Sequence, residues 1–320
     1  MKLYVGAGVL IVGVALLAQQ KQQQPPPPPP PQQAAPAVQS DDPTRITVNV
    51  DRVNMLFTVT DRKGRFVTDL GKNDFEVVEN KRPQVIQEFS AETDLPLRLG
   101  ILVDTSNSIR DRFRFEQEAA GEFVRSVMRS RSDRAMVISF DTSAELVSDL
   151  VSDIGKLEAA IQDLRPGGGT ALYDAIYFAC RDKLAKDQPF TKFRRAIVVL
   201  SDGDDNQSRY TRDQALEMAQ KADVVVYTIS TNVSRSDTDG DKVLKYYADR
   251  TGGRAYFPFK VEDLAQSFEN INNELTHQYI LLYRPEPFKT DGLFHPVEIR
   301  VKGHKELTVR VRPGYYAPKM

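Results

Sequence analysis

The chain has 320 residues, with 43 Lys and Arg against 44 Asp and Glu, a formal net charge of −1. A balance this even creates no field that would gather nucleic acid or an anionic membrane surface. The hydrophobic fraction of 41% excludes wholesale disorder, and three His with one Cys exclude a disulfide framework or a Cys/His zinc cluster.

In chain order, Leu3 to Ala18 is a charge-free apolar stretch preceded by Lys2. As a helix it would span about 24 Å, short of the roughly 30 Å hydrocarbon core. Residues 1–18 therefore read as a cleaved export signal, with a short retained anchor as the alternative. Residues 19–43 mix Gln, Ala and Pro, and seven of the 19 prolines form the run Pro25 to Pro31. That composition cannot bury a core, so the segment reads as a disordered linker with a stiff polyproline II spacer inside it. The folded part then begins near Thr44, outside the cytoplasm: periplasmic, in the cell envelope or secreted.

Thr44 to about Glu92 has a β texture, with alternation at Ile46, Val48 and Val50, at Phe57 and Val59, and at Phe75 and Val77. From Leu95 the pattern changes to strands alternating with helices. Leu97 to Val103, Ala196 to Leu200 and Val224 to Ile229 are nearly continuous apolar runs, as expected of strands buried on both faces. Ala135 to Phe140 and Tyr279 to Tyr283 read as further strands. Helices are predicted over Phe113 to Met128, Ile154 to Leu164, Leu172 to Leu184, Asp213 to Ala222, Asp241 to Arg250 and Glu262 to Leu275. This alternation predicts an α/β domain over 95–283 with a Rossmann-like, doubly wound, mostly parallel sheet. His295 to Tyr316 returns to β, with Val297, Ile299 and Val301 facing Leu307, Val309 and Val311 across a turn, which reads as a hairpin. One hairpin cannot stand alone in water. The economical arrangement pairs it with the N-terminal strands, so that 44–94 and 284–320 form one β-sandwich and the α/β domain is inserted in it.

Three loops of the α/β segment carry hard oxygen donors. The first buried strand ends in Asp104-Thr-Ser106-Asn-Ser108, a triple glycine precedes Thr170, and a later strand runs into Ser201-Asp202-Gly203-Asp204-Asp205. In an open α/β sheet such loops meet at the topological switch point. Oxygen-only donors suit Mg²⁺, Mn²⁺ or Ca²⁺ and argue against zinc or copper. Only Asp104 and Asp202 could offset a 2+ charge; if either acts through water, the ion keeps positive character and a vacant position that would attract an external carboxylate. Each segment alone is also what a helix N-cap looks like; their combination in one alternating region favours a ligand set.

These residues resemble the metal-ion-dependent adhesion site of von Willebrand factor type A domains, over about Leu95 to Tyr283. Val67 to Val77, Ile86 to Phe89 and the ending Arg312-Pro-Gly-Tyr315-Tyr316 are similar to segments of the von Willebrand factor A-related proteins described from Acidobacteria. The resemblance implies that Ser106 and Ser108 coordinate a cation directly. Asp104, Thr170 and Asp202 would bind it directly or through water, and a protein partner's Asp or Glu would complete the shell. Mg²⁺ is the first expectation, with Mn²⁺ or Ca²⁺ as alternatives, and the expected function is capture of a protein partner without turnover. A structural interaction module of the envelope, its site empty or merely stabilising, is the alternative. Asn107 and the Asp204-Asp205 pair depart from the pattern, and that pair's charge would weaken binding of an acidic partner.

Other motifs read as structural. Asp237 to Asp241 is misspaced for an EF-hand and reads as a solvated turn. The Asp104-Thr-Ser pattern lacks the second Asp of a haloacid dehalogenase nucleophile loop, and Gly167 to Thr170 lacks the Lys of a P-loop. His277, His295 and His304 lie in no motif and read as surface or turn residues. Cys180 reads as a small buried apolar residue. No base–nucleophile pair is visible, so the expectation is not an enzyme.

Overall fold

The computed structural model describes residues 52–91, 95–107, 113–129, 131–188, 192–232 and 236–319. The predicted export segment 1–18, the linker 19–43, the strand expected over 46–50 and Ser108 lie outside the described residues.

Six strands build the central sheet: β5 (Leu97–Asp104), β6 (Arg134–Phe140), β7 (Ala144–Val151), β8 (Arg194–Ser201), β9 (Val224–Ser230) and β10 (Ala255–Tyr256). Their order is β10-β9-β8-β5-β6-β7, all parallel except the edge strand β7, which runs antiparallel to β6. The chain winds outward from β5 to β7, then returns to place β8 on the other side of β5. The switch point therefore lies between β5 and β8.

Every residue of β5 is buried because both faces of the sheet are covered. Leu99, Ile101 and Val103 pack on one side against α1 (Phe113–Val127), α2 (Ile154–Gln162) and α6 (Val261–Thr276). Leu102 turns to the other side, where α3 (Leu172–Phe178), α4 (Arg212–Lys221) and α5 (Asp239–Thr251) close the second core. The strand β7 has no counterpart in the sequence reading. It alternates half-buried Ala144, Leu146 and Leu150 with exposed Glu145, Val147 and Asp149, as an edge strand does. The helix predicted over 172–184 stops at Phe178 and continues as a widened turn over Ala179–Lys183, with Cys180 fully buried.

Two antiparallel four-stranded sheets flank this unit. One is ordered β13-β1-β11-β4, from β1 (Val53–Thr60), β4 (Ile86–Ser90), β11 (Tyr279–Tyr283) and β13 (Thr308–Val311). The other is β14-β12-β2-β3, from β2 (Phe75–Glu79), β3 (Arg82–Gln84), β12 (Phe294–Val301) and β14 (Gly314–Tyr316). Met55, Phe57, Phe75, Tyr279, Leu281 and Ile299 share their core, with Phe57 and Phe75 edge-to-face at 5.1 Å. The strand Tyr279–Tyr283, expected within the α/β segment, pairs with β1 and β4 instead. The two strands predicted to form a C-terminal hairpin are also separated. β12 is taken by β2 and β14, while β13 crosses to β1. Their alternation set which side chains face the core and left the choice of sheet open.

The two crossings between sandwich and α/β unit are tied at one residue. Arg194 donates from Nε to the Leu95 carbonyl at 2.8 Å and from its guanidinium to the Leu275 carbonyl. A second tie runs from β13, where Arg310 donates to the Gly253 carbonyl at 2.9 Å, just beyond α5.

His295, read from sequence as a surface or turn residue, is 4% exposed. Its Nδ1 lies 3.0 Å from Glu79 Oε1 and its Nε2 lies 3.1 Å from Asp291 Oδ1. Glu79 also accepts from Tyr283 Oη at 2.9 Å and Tyr315 Oη at 3.2 Å, which satisfies a buried carboxylate inside a β core. His277 is half-buried and stacks on Phe66, and His304 is exposed. Replacing Tyr283 with Phe removes one donor to Glu79 without leaving a void. The expected loss is about 1–3 kcal/mol, read as a lower denaturant midpoint at unchanged slope.

Candidate functional site

The site starts where β5 runs out of apolar residues. Thr105 N still donates to the Phe140 carbonyl at 2.9 Å, and the chain then turns, with Ser106 N donating to Asp104 Oδ1 at 2.8 Å. Asp104 has no exposed surface. Its other oxygen accepts from Ser201 Oγ at 2.6 Å, and Ser201 Oγ in turn accepts from Gly203 N at 3.0 Å. The ends of the two strands at the switch point are thus joined through one carboxylate.

The glycine loop is bound to both neighbours. Gly167 N donates to the Thr105 carbonyl at 2.5 Å, and Asn107 Nδ2 donates to the Gly168 carbonyl at 3.2 Å. Thr170 N donates to Asn206 Oδ1, and the Thr170 carbonyl accepts from Asn206 N and Gln207 N, all at 3.0 Å. Gly168 has φ +72°, and a Cβ there would stand 2.7 Å from Thr142 Oγ1. Only glycine lets this loop lie so close to its neighbours.

Of the predicted residues, Asp104, Ser106 and Thr170 are buried and Asp202 is half-buried. Asp104 and Ser106 are directly bonded. Asp202 lies close enough for its charge to act on Asp104, while its Oδ1 accepts from Asp204 N at 3.2 Å. Thr170 reaches the pair through its loop's backbone, and Ser108 is outside the described residues.

Burial pushes the Asp104 carboxyl up to about 6, against the lowering effect of Ser201 and Ser106, and nearby Asp202 adds to the rise. No ion pair to Asp104 occurs among the described residues. A carboxylate with no exposed surface and no cation is costly, and a hard divalent cation is the partner that this oxygen-only donor set fits. Among the described residues no three His, Cys, Asp or Glu side chains gather as a metal cluster. The set has two carboxylates, so hydroxyls would have to complete it.

The acidic residues around the site divide by use. Asp205 accepts from Tyr173 N at 3.0 Å and Ser208 Oγ at 2.7 Å, holding the first turn of α3. Asp204 is exposed, and burial together with Asp202, Asp239 and Asp241 raises its carboxyl above the usual range. The Asp237–Asp241 loop is a helix start and not a fully solvated turn. Thr238 caps α5, and buried Asp241 accepts from Ser230 Oγ at 2.6 Å and Asn232 Nδ2 at 2.9 Å. This loop packs directly on the Asp202 loop: a Cβ on Gly240 would stand 2.1 Å from the Asp202 carbonyl, and one on Gly203 2.2 Å from the Gly240 carbonyl. Sequence reasoning missed the roles of Ser201 and Gly240. The Ser201-Asp202 pair was a visible signal for the first, but nothing local pointed to the second.

Residues 99–204, a window containing all five predicted positions, match the family model of the von Willebrand factor type A domain. No curated protein matches the chain in sequence. Among solved structures, a von Willebrand factor type A protein from Catenulispora acidiphila aligns with TM-score 0.49 and 15% identity, over 84% of this chain and 74% of that one. Proximal thread matrix protein 1 from the mussel byssus, in a form with a zinc-occupied MIDAS motif, aligns with TM-score 0.49 and 16% identity, over 60% of this chain and 48% of that one. The conserved hypothetical protein BatB from Bacteroides thetaiotaomicron aligns with TM-score 0.43 and 17% identity, over 55% and 99%.

Two outcomes follow from the geometry. A carboxyl whose folded value lies near 6 and whose unfolded value lies near 3.8 favours the fold while protonated and loses that contribution as pH rises through 6. In chelator, Asp104→Asn is therefore more stable than the native chain at pH 7, by on the order of 2 kcal/mol, and the difference closes below about pH 4. Thermal melts at both pH values check this. Gly240→Ala forces the Asp202 loop to move, and should lower the melting temperature and weaken cation binding about tenfold, by analogy with other supporting-shell changes.

Proposed function

We propose that the chain captures a protein partner through a divalent cation held by Asp104, Ser106, Ser108, Thr170 and Asp202. The observation that carries this reading is the fully buried carboxylate of Asp104 at the switch point, with no ion-pair partner among the described residues, inside the segment that matches the von Willebrand factor type A domain. When bound, the cation supplies a positive centre with an open position for an external carboxylate. The protein's own residues supply the rest. Ser201 and the Ser106 amide orient Asp104, Asn206 fixes the Thr170 loop, and Gly203 and Gly240 set the depth of Asp202.

Mg²⁺ is the proposed ion, because two carboxylates with hydroxyl donors leave room for retained waters. The partner presents an Asp or Glu side chain, and the mode is binding without turnover. We place the protein outside the cytoplasm, on the strength of the apolar segment Leu3 to Ala18 and the Pro-rich stretch after it. Among the described residues no helix is long and apolar enough to cross a membrane. The segments Val67 to Val77 and Arg312 to Tyr316 support a place among the von Willebrand factor A-related bacterial proteins.

Calorimetric titration of Mg²⁺, Mn²⁺ and Ca²⁺ into the chelator-stripped chain tests the site. Saturable one-to-one binding, abolished in Asp104→Ala with Ser106→Ala, is the expected result. A folded chain that takes up none of the three ions at millimolar concentration would sink the cation reading. Partner capture that persists in chelator would assign the adhesive surface to another face.

A further inference from the structure

We infer that a second site, at the opposite end of the α/β unit, binds a small organic anion with an aromatic or apolar body. A cavity of about 450 Å³ opens between the start of β1, the end of α4 and the C-terminal segment after β13. That volume is in the range of small-ligand sites. The helix α4 starts beyond the Asp202 loop and ends at Lys221, on the cavity, so the two sites are separated by the length of the helix.

The walls combine an apolar body with a basic rim. Phe288, Tyr315, Tyr316 and Ala317 line it. The Tyr315 hydroxyl is engaged with Glu79, which leaves its ring as the cavity surface. Of the described charged residues lining the cavity, Arg52, Lys221, Arg312 and Lys319 are cations and Asp223 is the one carboxylate. Asp223 is already paired with Arg312 at 2.8 Å, and it adopts a left-handed φ of 56° there. Arg52 and Lys221 have partners outside the lining, Glu88 at 2.5 Å and Glu217 at 2.6 Å, across exposed pairs that hold weakly. Lys319 has no carboxylate partner among the described residues. The Lys221 ammonium lies 5.2 Å from the centre of the Tyr316 ring, which places positive charge directly beside an aromatic face.

The inner wall is polar and unsatisfied. Met55, Phe57 and Val59 turn into the sandwich core, and strand alternation sends Asn54 the other way, to the cavity side. Asn54 is 6% exposed, and among the described residues neither its Nδ2 nor its Oδ1 has a hydrogen-bond partner; the same holds for Arg312 Nε. A packed interface would pair such groups, because buried polar atoms are almost always bonded. Exposed cations at the mouth, aromatic walls and unmet polar atoms behind them match a ligand with an acidic group at the rim and a flat or aliphatic body inside.

The probe is 2-naphthoate, with uncharged 2-naphthamide as its control, titrated calorimetrically into the full chain. Because the chain has no Trp, Phe288→Trp provides a single fluorescent reporter in the cavity wall. The expected result is saturable one-to-one binding of 2-naphthoate with a parallel change in Trp emission. The amide should bind about tenfold more weakly, and Lys221→Glu with Lys319→Glu should weaken 2-naphthoate about tenfold in a chain that circular dichroism shows to be still folded. No saturable binding at millimolar probe, equal affinity for the amide, or indifference to the charge reversal would each overturn the assignment.

Discussion

One buried carboxylate governs the functional end of this fold. The strand β5 lies between β6 and β8 with helices on both faces, so every one of its residues is out of water, including Asp104 at its end. An ionised carboxylate there needs either a proton or a positive partner. The protein supplies two hydroxyls and a backbone amide, which soften the burial without cancelling it. Ser201 comes from the strand across the switch point, Ser106 from the turn after Asp104, and the glycine loop binds the backbone of that turn. Everything near the site is therefore held in relation to a group that the unaided fold leaves under-compensated.

The second constraint is that the sandwich needs both ends of the chain. β1 lies between β11 and β13, so its neighbours come from more than 200 residues later in the sequence. The α/β unit is consequently an insertion whose entry and exit meet at Arg194. Arg310 and Arg312 add ties on the far side of the same junction, to Gly253 and Asp223. Ion pairs and carbonyl contacts at a junction fix orientation, while the apolar cores on either side supply most of the stability. The Asp223 pair also forms part of the basic cavity, so that cavity is a product of the insertion itself.

What the sequence made legible follows from the range of each signal. Continuous apolar runs such as Leu97 to Val103 and Val224 to Ile229 identified the buried parallel strands, because burial on both faces removes the alternation. The oxygen-donor loops were legible as motifs on those strands. Partner choice was not. Alternation in β12 and β13 marks the inward side chains equally well in a hairpin or in two facing sheets, and the structure uses the second. His295 was misread for the same reason: its partner Glu79 is 216 residues away. No local pattern distinguishes a buried, doubly bonded imidazole from an exposed one.

The acidic departure from the expected pattern also changes meaning once placed. In sequence, Asp204 and Asp205 are a pair of charges that would repel an acidic partner. In the fold, Asp205 turns inward to the amide of Tyr173 and to Ser208, where a negative group is favoured at a helix start. Asp241 likewise faces inward, onto Ser230 and Asn232. Exposed Asp239 is matched by Lys242 at 2.8 Å. Of the Asp204-Asp205 pair the outward charge is thus Asp204 alone, on a loop whose height is fixed by the backbone contact of Gly203 with Gly240. In the proposed mode of capture, a partner carboxylate would meet one charge of that pair instead of two, and a 2+ ion would outweigh it at shorter range.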